Sequence, residues 1–304
     1  MKNATIKKIA TILSAALLLL TNPVFATEED FVFTPELKPE TIQALQPAVE
    51  DKTDEKIAEQ QEKILTEAYE AIAESRNALI ALYDGKIDET TKALELVTGK
   101  IAFIVARNPE LTLAMVDLNV QVYDFFSKAE TIEATVKQAI KYLKDGEVQL
   151  ARQLVESMAS EIVIESINIP LGTYPEAIMD VVLLIDEGKI EEAKGSLQEA
   201  LGALVVVKEV VIPLPIVRAK FILKGAEELA KKNERTEEDK NQLEELLNEV
   251  KTQLKIAEIL GYGDKKEFKP MYEHLKIIRE KTKEGKSGKG YFDKIKVQLA
   301  KIFK

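Results

Sequence analysis

The chain has 304 residues, no cysteine, one histidine and a formal net charge of −10 at pH 7. The lack of cysteine excludes disulfides, lipid attachment at a cysteine and thiolate metal sites. The negative charge argues against general nucleic-acid binding, because the phosphate backbone would repel the protein.

The first 26 residues have the pattern of a secretory signal peptide. Lys2, Lys7 and Lys8 precede the apolar run "IATILSAALLLL", and Val24 and Ala26 are small residues at the usual cleavage positions. This run of about 12 residues is too short for the ~20 that span a bilayer. We therefore predict cleavage after Ala26 and export of a soluble chain to the periplasm. The mature chain would carry a net charge of −13, because three lysines and no acids are removed.

Residues 27–60 differ in composition from the rest of the mature chain. They contain three prolines and 10 acidic residues against 3 lysines, with few periodic apolar positions. Such a composition buries too little apolar surface to offset the entropy of ordering. The pattern predicts an acidic, flexible leader with short helical pieces.

Residues 61–263 are predicted to form a helical core built around a repeated corner. Each copy centres on a glycine, which can adopt the left-handed conformation that closes a helix. In copies one and three the glycine is followed by acidic residues, which favour the start of a helix. Apolar residues recur three positions before, two after and nine after each glycine: Leu82, Ile87 and Leu94 around Gly85, Leu143, Val148 and Val155 around Gly146, and Ile185, Ile190 and Leu197 around Gly188. The spacing predicts a mainly α fold, a compact multi-helix bundle of duplicated helical hairpins.

Each copy continues to a proline 24 or 25 residues beyond its glycine, at Pro109, Pro170 and Pro213. In copies two and three the stretch before the proline is rich in valine and isoleucine, which favours a strand. We predict two short strands that pair with each other, with buried helix ends as the alternative. About 19 extra residues separate copies one and two, and we expect "LTLAMVDLNVQVYDFF" to form an added apolar helix.

Residues 264–304 form a basic C-terminal helical segment, with 13 basic against 6 acidic residues. The last helix has apolar residues on one side and lysines elsewhere: Phe292, Ile295, Leu299, Ile302 and Phe303 against Lys294, Lys296, Lys301 and Lys304. This pattern is typical of peripheral contact with an anionic membrane. Packing against the body or an acidic subunit is the alternative.

Several of these motifs together resemble the YfdX family of exported bacterial proteins. They are the corners "LYDG" and "LIDEG", the two "IPL" stretches and above all the tail "AEILGYGDKKEFKPMYEHLKIIREKT". The resemblance extends over about residues 62–304. It implies a mostly α-helical periplasmic protein that forms homo-oligomers and is linked to acid and drug stress in enteric bacteria. The family has no agreed molecular activity, so it supplies no site residues.

No motif predicts catalysis, a metal or a cofactor. "EGKSGKG" lacks the first glycine of a phosphate loop, since Glu280 stands there, and "GYGDKK" has Lys266 where a dinucleotide fingerprint needs its third glycine. His274, the only histidine, has Glu273 beside it, which defines neither a metal ligand set nor a triad. We therefore expect that the protein is not an enzyme.

Two functions remain after these exclusions. The first is stress protection through interactions with client proteins or ligands. The second is binding of a small amphiphilic ligand in a pocket between the helical repeats, with Tyr174, Phe221 and Tyr262 as candidate lining residues. Aromatic residues of this kind are more often part of a core.

Overall fold

The structure, a computed structural model, describes residues 39–125 and 127–302. The predicted signal peptide, its cleavage at Ala26 and the first part of the leader lie outside these residues. The fold is mainly α, as the periodicity predicts. The described residues form helices α1 (Pro39–Gln61), α2 (Thr66–Tyr83), α3 (Ile87–Arg107), α4 (Ala129–Lys144), α5 (Val148–Glu156), α6 (Tyr174–Asp186), α7 (Ile190–Gly202), α8 (Leu214–Ala230), α9 (Glu237–Ile259), α10 (Lys265–Lys283) and α11 (Tyr291–Ile302), and strands β1 (Leu113–Asp124), β2 (Ser160–Pro170) and β3 (Val205–Pro213).

The repeated unit is a helical hairpin followed by a strand. Hairpin one is α2–α3, hairpin two is α4–α5 and hairpin three is α6–α7, and they lead into β1, β2 and β3 in turn. The three corner glycines have φ values of +73°, +80° and +75°. At each corner the N–H after the glycine bonds back to a carbonyl of the first helix, at 2.8–2.9 Å. The glycines therefore close the hairpins as the spacing predicts.

The three strands form one antiparallel sheet in the order β1-β2-β3. The predicted pairing of the two valine- and isoleucine-rich stretches is confirmed, with Ile164 opposite Val210. The predicted added helix is wrong, because that segment forms β1 and pairs with β2 from Leu113 to Asp124. Its β-branched and aromatic side chains suit a half-buried strand, and the pairing with β2 supplies the backbone partners. Pro109 follows α3, so it is not the counterpart of the strand-ending prolines.

Hairpins one and three pack against each other to form the first core. Their contacts are crosswise, because α2 packs on α7 and α3 packs on α6. One apolar cluster joins both hairpins with part of β1 and the end of β2. Leu82, Leu94, Ile185 and Leu197, at matching positions of the two hairpins, are all buried in it.

Helices α8 to α11 form a second core with α1. Most of the predicted leader that can be described is therefore helical, where the composition had predicted a flexible chain. Leu45, Val49 and Ile57 recur on one face of α1 and are buried, and α1 packs along α8. Burial of this face compensates for the ordering entropy that the acidic composition alone could not offset.

The basic tail contributes to the same core. Phe292, Ile295 and Leu299 of α11 are buried in the second apolar cluster, which leaves the lysines of α11 at the surface. Among the described residues, no helix combines the length and the apolar character that spanning a membrane requires.

Candidate functional site

Tyr174 lies in the first core. Its hydroxyl donates a hydrogen bond of 2.9 Å to Ser75 Oγ, which joins α6 to α2. Ser75 donates in turn to the carbonyl of Ala71 at 2.9 Å. Burial raises the pKa of Tyr174, beyond the lowering effect of the Ser75 hydrogen bond. The residue is placed to hold two hairpins together.

Tyr262 lies at a different junction, between the start of β2 and the loop after α9. Its hydroxyl accepts a hydrogen bond of 2.9 Å from the backbone N–H of Ser160. Burial is the main cause that raises its pKa well above the ordinary range, outweighing the Ser160 N–H. The two tyrosines thus stand in separate structural contacts and do not share a pocket.

Tyr174 lines a pocket of about 260 Å³ within hairpin three, and Phe221 lines a larger cleft. This cleft, between α1 and α8, has a volume of about 520 Å³, which is within the range of small-molecule sites. Its apolar lining consists of Ala48, Val217 and Phe221, and its remaining lining residues are five lysines and four acidic residues: Lys52, Lys220, Lys224, Lys231 and Lys296, with Asp51, Glu55, Glu227 and Glu228. The cleft lies outside the helical repeats, where the sequence had suggested a pocket.

The tail helix reaches this cleft through an ion pair. Lys296 of α11 donates to Glu227 of α8, which also pairs with Lys231 at 2.9 Å. Burial acts to raise the pKa of Glu227, but the hydrogen bonds from the two lysines outweigh it and lower the pKa. The hydrogen bond to Glu227 raises the pKa of Lys296. An amphiphile with an apolar body and a charged group fits this combination of surfaces.

A polar junction connects the sheet to the second core. Arg218 of α8 donates a hydrogen bond of 2.6 Å to Asp124 at the end of β1, and Asp124 also accepts from Ser160 Oγ at 3.0 Å. Burial raises the pKa of Glu249 nearby, although Gln253 and Arg218 act in the opposite direction. No sequence pattern indicated this junction, because its members lie far apart along the chain. Its bonds tie strand ends to helices, so its role is structural.

His274 of α10 lies beside an aromatic residue of α11. Its ring lies 5.8 Å from the ring of Tyr291, in a tilted arrangement. Throughout residues 39–125 and 127–302, no group of three or more His, Cys, Asp or Glu side chains is placed to hold a metal ion.

Hairpin two exposes apolar side chains, three of which hold the repeat positions named from the sequence: Leu143, Val148 and Val155. Four exposed apolar residues of its two helices hold positions whose counterparts in hairpins one and three belong to the first core or pack against it: Ile140, Leu143, Val148 and Val155. The hairpin is attached to the body chiefly near the start of α4, where Ala129 and Ile132 pack on Ile256. We call these four residues, Ile140, Leu143, Val148 and Val155, the hairpin-two face. Its apolar period is visible in the sequence, but its exposure is not.

Comparison with known proteins gives a family and a structural neighbour. The sequence model described as "YfdX protein" matches residues 71–210, which run from within α2 to within β3. A solved structure of Salmonella Typhi YfdX is similar with 14% identity and a TM-score of 0.33, over 50% of this chain and 93% of that one. No curated protein matches the sequence.

The matched segment differs from the one on which the resemblance mainly rested. It ends at residue 210, before the tail "AEILGYGDKKEFKP", and it contains all three corner glycines. The match to the YfdX family model thus covers most of the segment that carries the three hairpins and the sheet.

Proposed function

We propose that this protein acts in the periplasm without catalysis, and that it protects the cell under acid or drug stress by binding other proteins. The hairpin-two face carries this proposal. Exposed apolar side chains grouped on one hairpin are typical of interaction sites in soluble proteins. The signal-peptide pattern supports the location, and the family resemblance supports the link to stress.

The geometry of the charged groups also favours binding over turnover. The buried ion pair of Arg218 and Asp124 joins structural elements, and Tyr174 and Tyr262 bond to Ser75 and to the Ser160 backbone. These contacts give the two tyrosines and the ion pair structural roles. A general acid or base needs instead a pKa close to the working pH and access to a substrate.

A client-aggregation assay tests the proposal. The purified protein is mixed with an acid-sensitive client at pH 4 and light scattering is followed. We expect suppression by the wild type and loss of suppression in the double variant Leu143→Ser and Val155→Ser. Leu183→Ser is the matched control, because Leu183 is 57% exposed on α6 and Leu143 is 55% exposed on α4. Equal suppression by all three proteins, or none by the wild type, would contradict the proposed role.

A second candidate function rests on the cleft between α1 and α8. Its lining of apolar and charged residues suits a small amphiphilic ligand with an apolar body, and Phe221 is the aromatic residue that lines it. A thermal-shift screen with cationic and anionic amphiphiles tests this, since a ligand that binds the folded state raises the melting temperature. The shift should disappear in Phe221→Ala and persist in Phe103→Ala, a variant of another exposed phenylalanine. Absence of any shift across both classes would remove this candidate.

A further inference from the structure

Another pocket lies on the sheet, apart from the cleft between α1 and α8. It has a volume of about 350 Å³, which is within the range of small-molecule sites. Its lining residues come from all three strands, from the connection between α1 and α2 and from the segment that follows α3. We call it the sheet pocket. It shares no lining residue with the cleft and none with the hairpin-two face, so it is a separate site.

One part of the sheet pocket is apolar. Leu113 and Met115 are two residues apart on β1 and therefore share one face of the sheet, and Val207 lines the pocket from β3. The N–H of Leu65 donates a hydrogen bond of 3.1 Å to the carbonyl of Met115, which holds the connection between α1 and α2 against β1. Leu65 and Leu111 complete the apolar lining. This part of the pocket suits the apolar body of a ligand.

The other part of the sheet pocket is a buried polar network centred on β2. Ser166 is fully buried, and 4% of Asn168 is exposed. Asn168 Nδ2 donates a hydrogen bond of 2.8 Å to Ser166 Oγ and one of 3.2 Å to the carbonyl of Val205. The Ser166 hydroxyl donates in turn to Glu209 Oε1 at 2.6 Å. Because a carbonyl can only accept, the amide nitrogen of Asn168 must face Val205, and this fixes the orientation of the amide.

This network leaves two acceptor atoms over. Both N–H bonds of the Asn168 amide are used, so the amide can offer only its Oδ1 to a ligand. Within residues 39–125 and 127–302, neither Asn168 Oδ1 nor Glu209 Oε2 has a hydrogen-bond partner, and both residues line the pocket. Buried polar groups in proteins are nearly always paired. A ligand with an ammonium group would supply donors to both atoms.

Lys63 brings the opposite charge to the sheet pocket. It is exposed in the connection between α1 and α2, and across the described chain its ammonium group forms no ion pair. Lys63 and Glu209 thus line one pocket without pairing with each other. The remaining polar lining residue, Asn108, donates to the carbonyl of Ile104 at 3.4 Å. A ligand with an ammonium group at one end and a carboxylate at the other can pair with both charges.

We propose that the sheet pocket binds an amino acid with an apolar side chain. The ammonium group of the ligand donates to Glu209 and to Asn168 Oδ1, and its carboxylate pairs with Lys63. Its side chain packs among the apolar lining residues. The hydrogen bonds of Ser166 hold Glu209 and the Asn168 amide in place before the ligand arrives, which lowers the entropy cost of binding.

Isothermal titration calorimetry of the purified protein at pH 7 tests the ligand class. The probes are L-leucine and L-phenylalanine, each with its analogue without the ammonium group, 4-methylpentanoate or 3-phenylpropanoate, and its analogue without the carboxylate, 3-methylbutylamine or 2-phenylethylamine. We expect an amino acid to bind and both of its analogues to bind about tenfold more weakly or worse, as for loss of a hydrogen bond to a charged group. Absence of binding by both amino acids, or an analogue that binds as tightly as its amino acid, would overturn the proposal.

A matched pair of variants tests the ammonium site. Glu209→Gln keeps an oxygen that can accept from Ser166 but loses the charge, so it should weaken binding of the amino acid about tenfold or more. Glu165→Gln should leave binding unchanged. Glu165 precedes Ser166 on β2 and accepts instead from Asn119 and Gln121, at 3.2 and 3.1 Å. Equal affinities of these two variants would contradict the role of Glu209.

A second pair tests the carboxylate site and separates the two ends of the ligand. Lys63→Met should weaken binding of the amino acid but not of its amine analogue, which has no carboxylate. Lys208→Met is the control, because Lys208 is exposed on β3 beside Glu209 and does not line the pocket. An amino acid that binds the wild type equally well after Lys63→Met and Glu209→Gln would lie elsewhere, and the proposal would fail.

Discussion

The guanidinium of Arg218 donates a hydrogen bond of 2.6 Å to the carboxylate of Asp124, and 8% of the Arg218 side chain is exposed. The pair joins α8 of the second core to the last residue of β1. Loss of one member of a buried ion pair leaves the other charge uncompensated, which costs more than the loss of a surface pair.

We therefore expect Arg218→Ala to lower the free energy of unfolding by about 3 kcal/mol. Arg107→Ala is the control, because Arg107 pairs with Glu67 at 3.5 Å with 64% of its side chain exposed. Loss of the Arg107 pair should lower the free energy of unfolding by less than about 1 kcal/mol. Urea denaturation of the three proteins measures both values. Similar losses in the two variants would show that the Arg218 pair has no special structural role.

The hydrogen bond from Tyr174 to Ser75 leads to a second prediction. Tyr174→Phe should destabilise the protein by about 1 kcal/mol, since Ser75 keeps its bond to Ala71 and only one net hydrogen bond is lost. Tyr174→Ala should cost about 3–5 kcal/mol because it also leaves a cavity. Denaturant titration checks the series, with the exposed Tyr69→Phe as a control within about 0.5 kcal/mol of wild type. A Tyr174→Ala variant of unchanged stability would contradict its place in the core.

Two glycines of hairpin three provide a third prediction, because the same change to alanine should have opposite effects on stability at the two positions. Gly188 has a φ of +75°, whereas Gly195 lies inside α7, and an added Cβ would have free space at both. Gly188→Ala should lower the free energy of unfolding by about 1–2 kcal/mol, because residues with a side chain disfavour the left-handed region. Gly195→Ala should stabilise by about 0.5–1 kcal/mol through helix propensity. Thermal unfolding should thus shift in opposite directions, and a shift of the same sign in both variants would argue against the corner geometry.

The half-buried Glu249 gives a prediction about pH. Burial, its main influence, raises the pKa of Glu249 above 4.5 in the folded protein. A raised pKa means that the folded state favours the protonated carboxyl group. The stability that Glu249 contributes is therefore full below pH 4.5 and is lost as the pH rises through the raised pKa. Glu249→Gln should therefore be more stable than wild type at pH 7, and this gain should shrink at pH 4.

Urea titrations at pH 7 and pH 4 check the Glu249 prediction. The control is Glu245→Gln, which alters an exposed carboxylate on the same helix. A gain for Glu249→Gln that is equal at both pH values would assign the effect to packing rather than to protonation.

Several features could be predicted because local chemistry decides them. The glycine at each corner and the apolar positions around it specify a closed hairpin, and the runs before Pro170 and Pro213 specify strands. β1 was missed because a segment with valine, leucine and aromatic residues is compatible with helix or strand, and its pairing with β2 decides between them. The described part of the leader was missed for a similar reason, since its helix depends on burial against α8.

The sequence by itself determined the hairpins, the strand-forming stretches and the absence of disulfides, because these depend on residues close together or on composition. Only the tertiary structure decided which hairpins meet. Leu143 and Ile185 hold equivalent positions in the repeat, and nothing local distinguishes an apolar residue that is covered from one that is exposed. The difference arises because hairpins one and three cover each other, whereas hairpin two packs on α9 chiefly through the start of α4, which leaves Leu143 exposed.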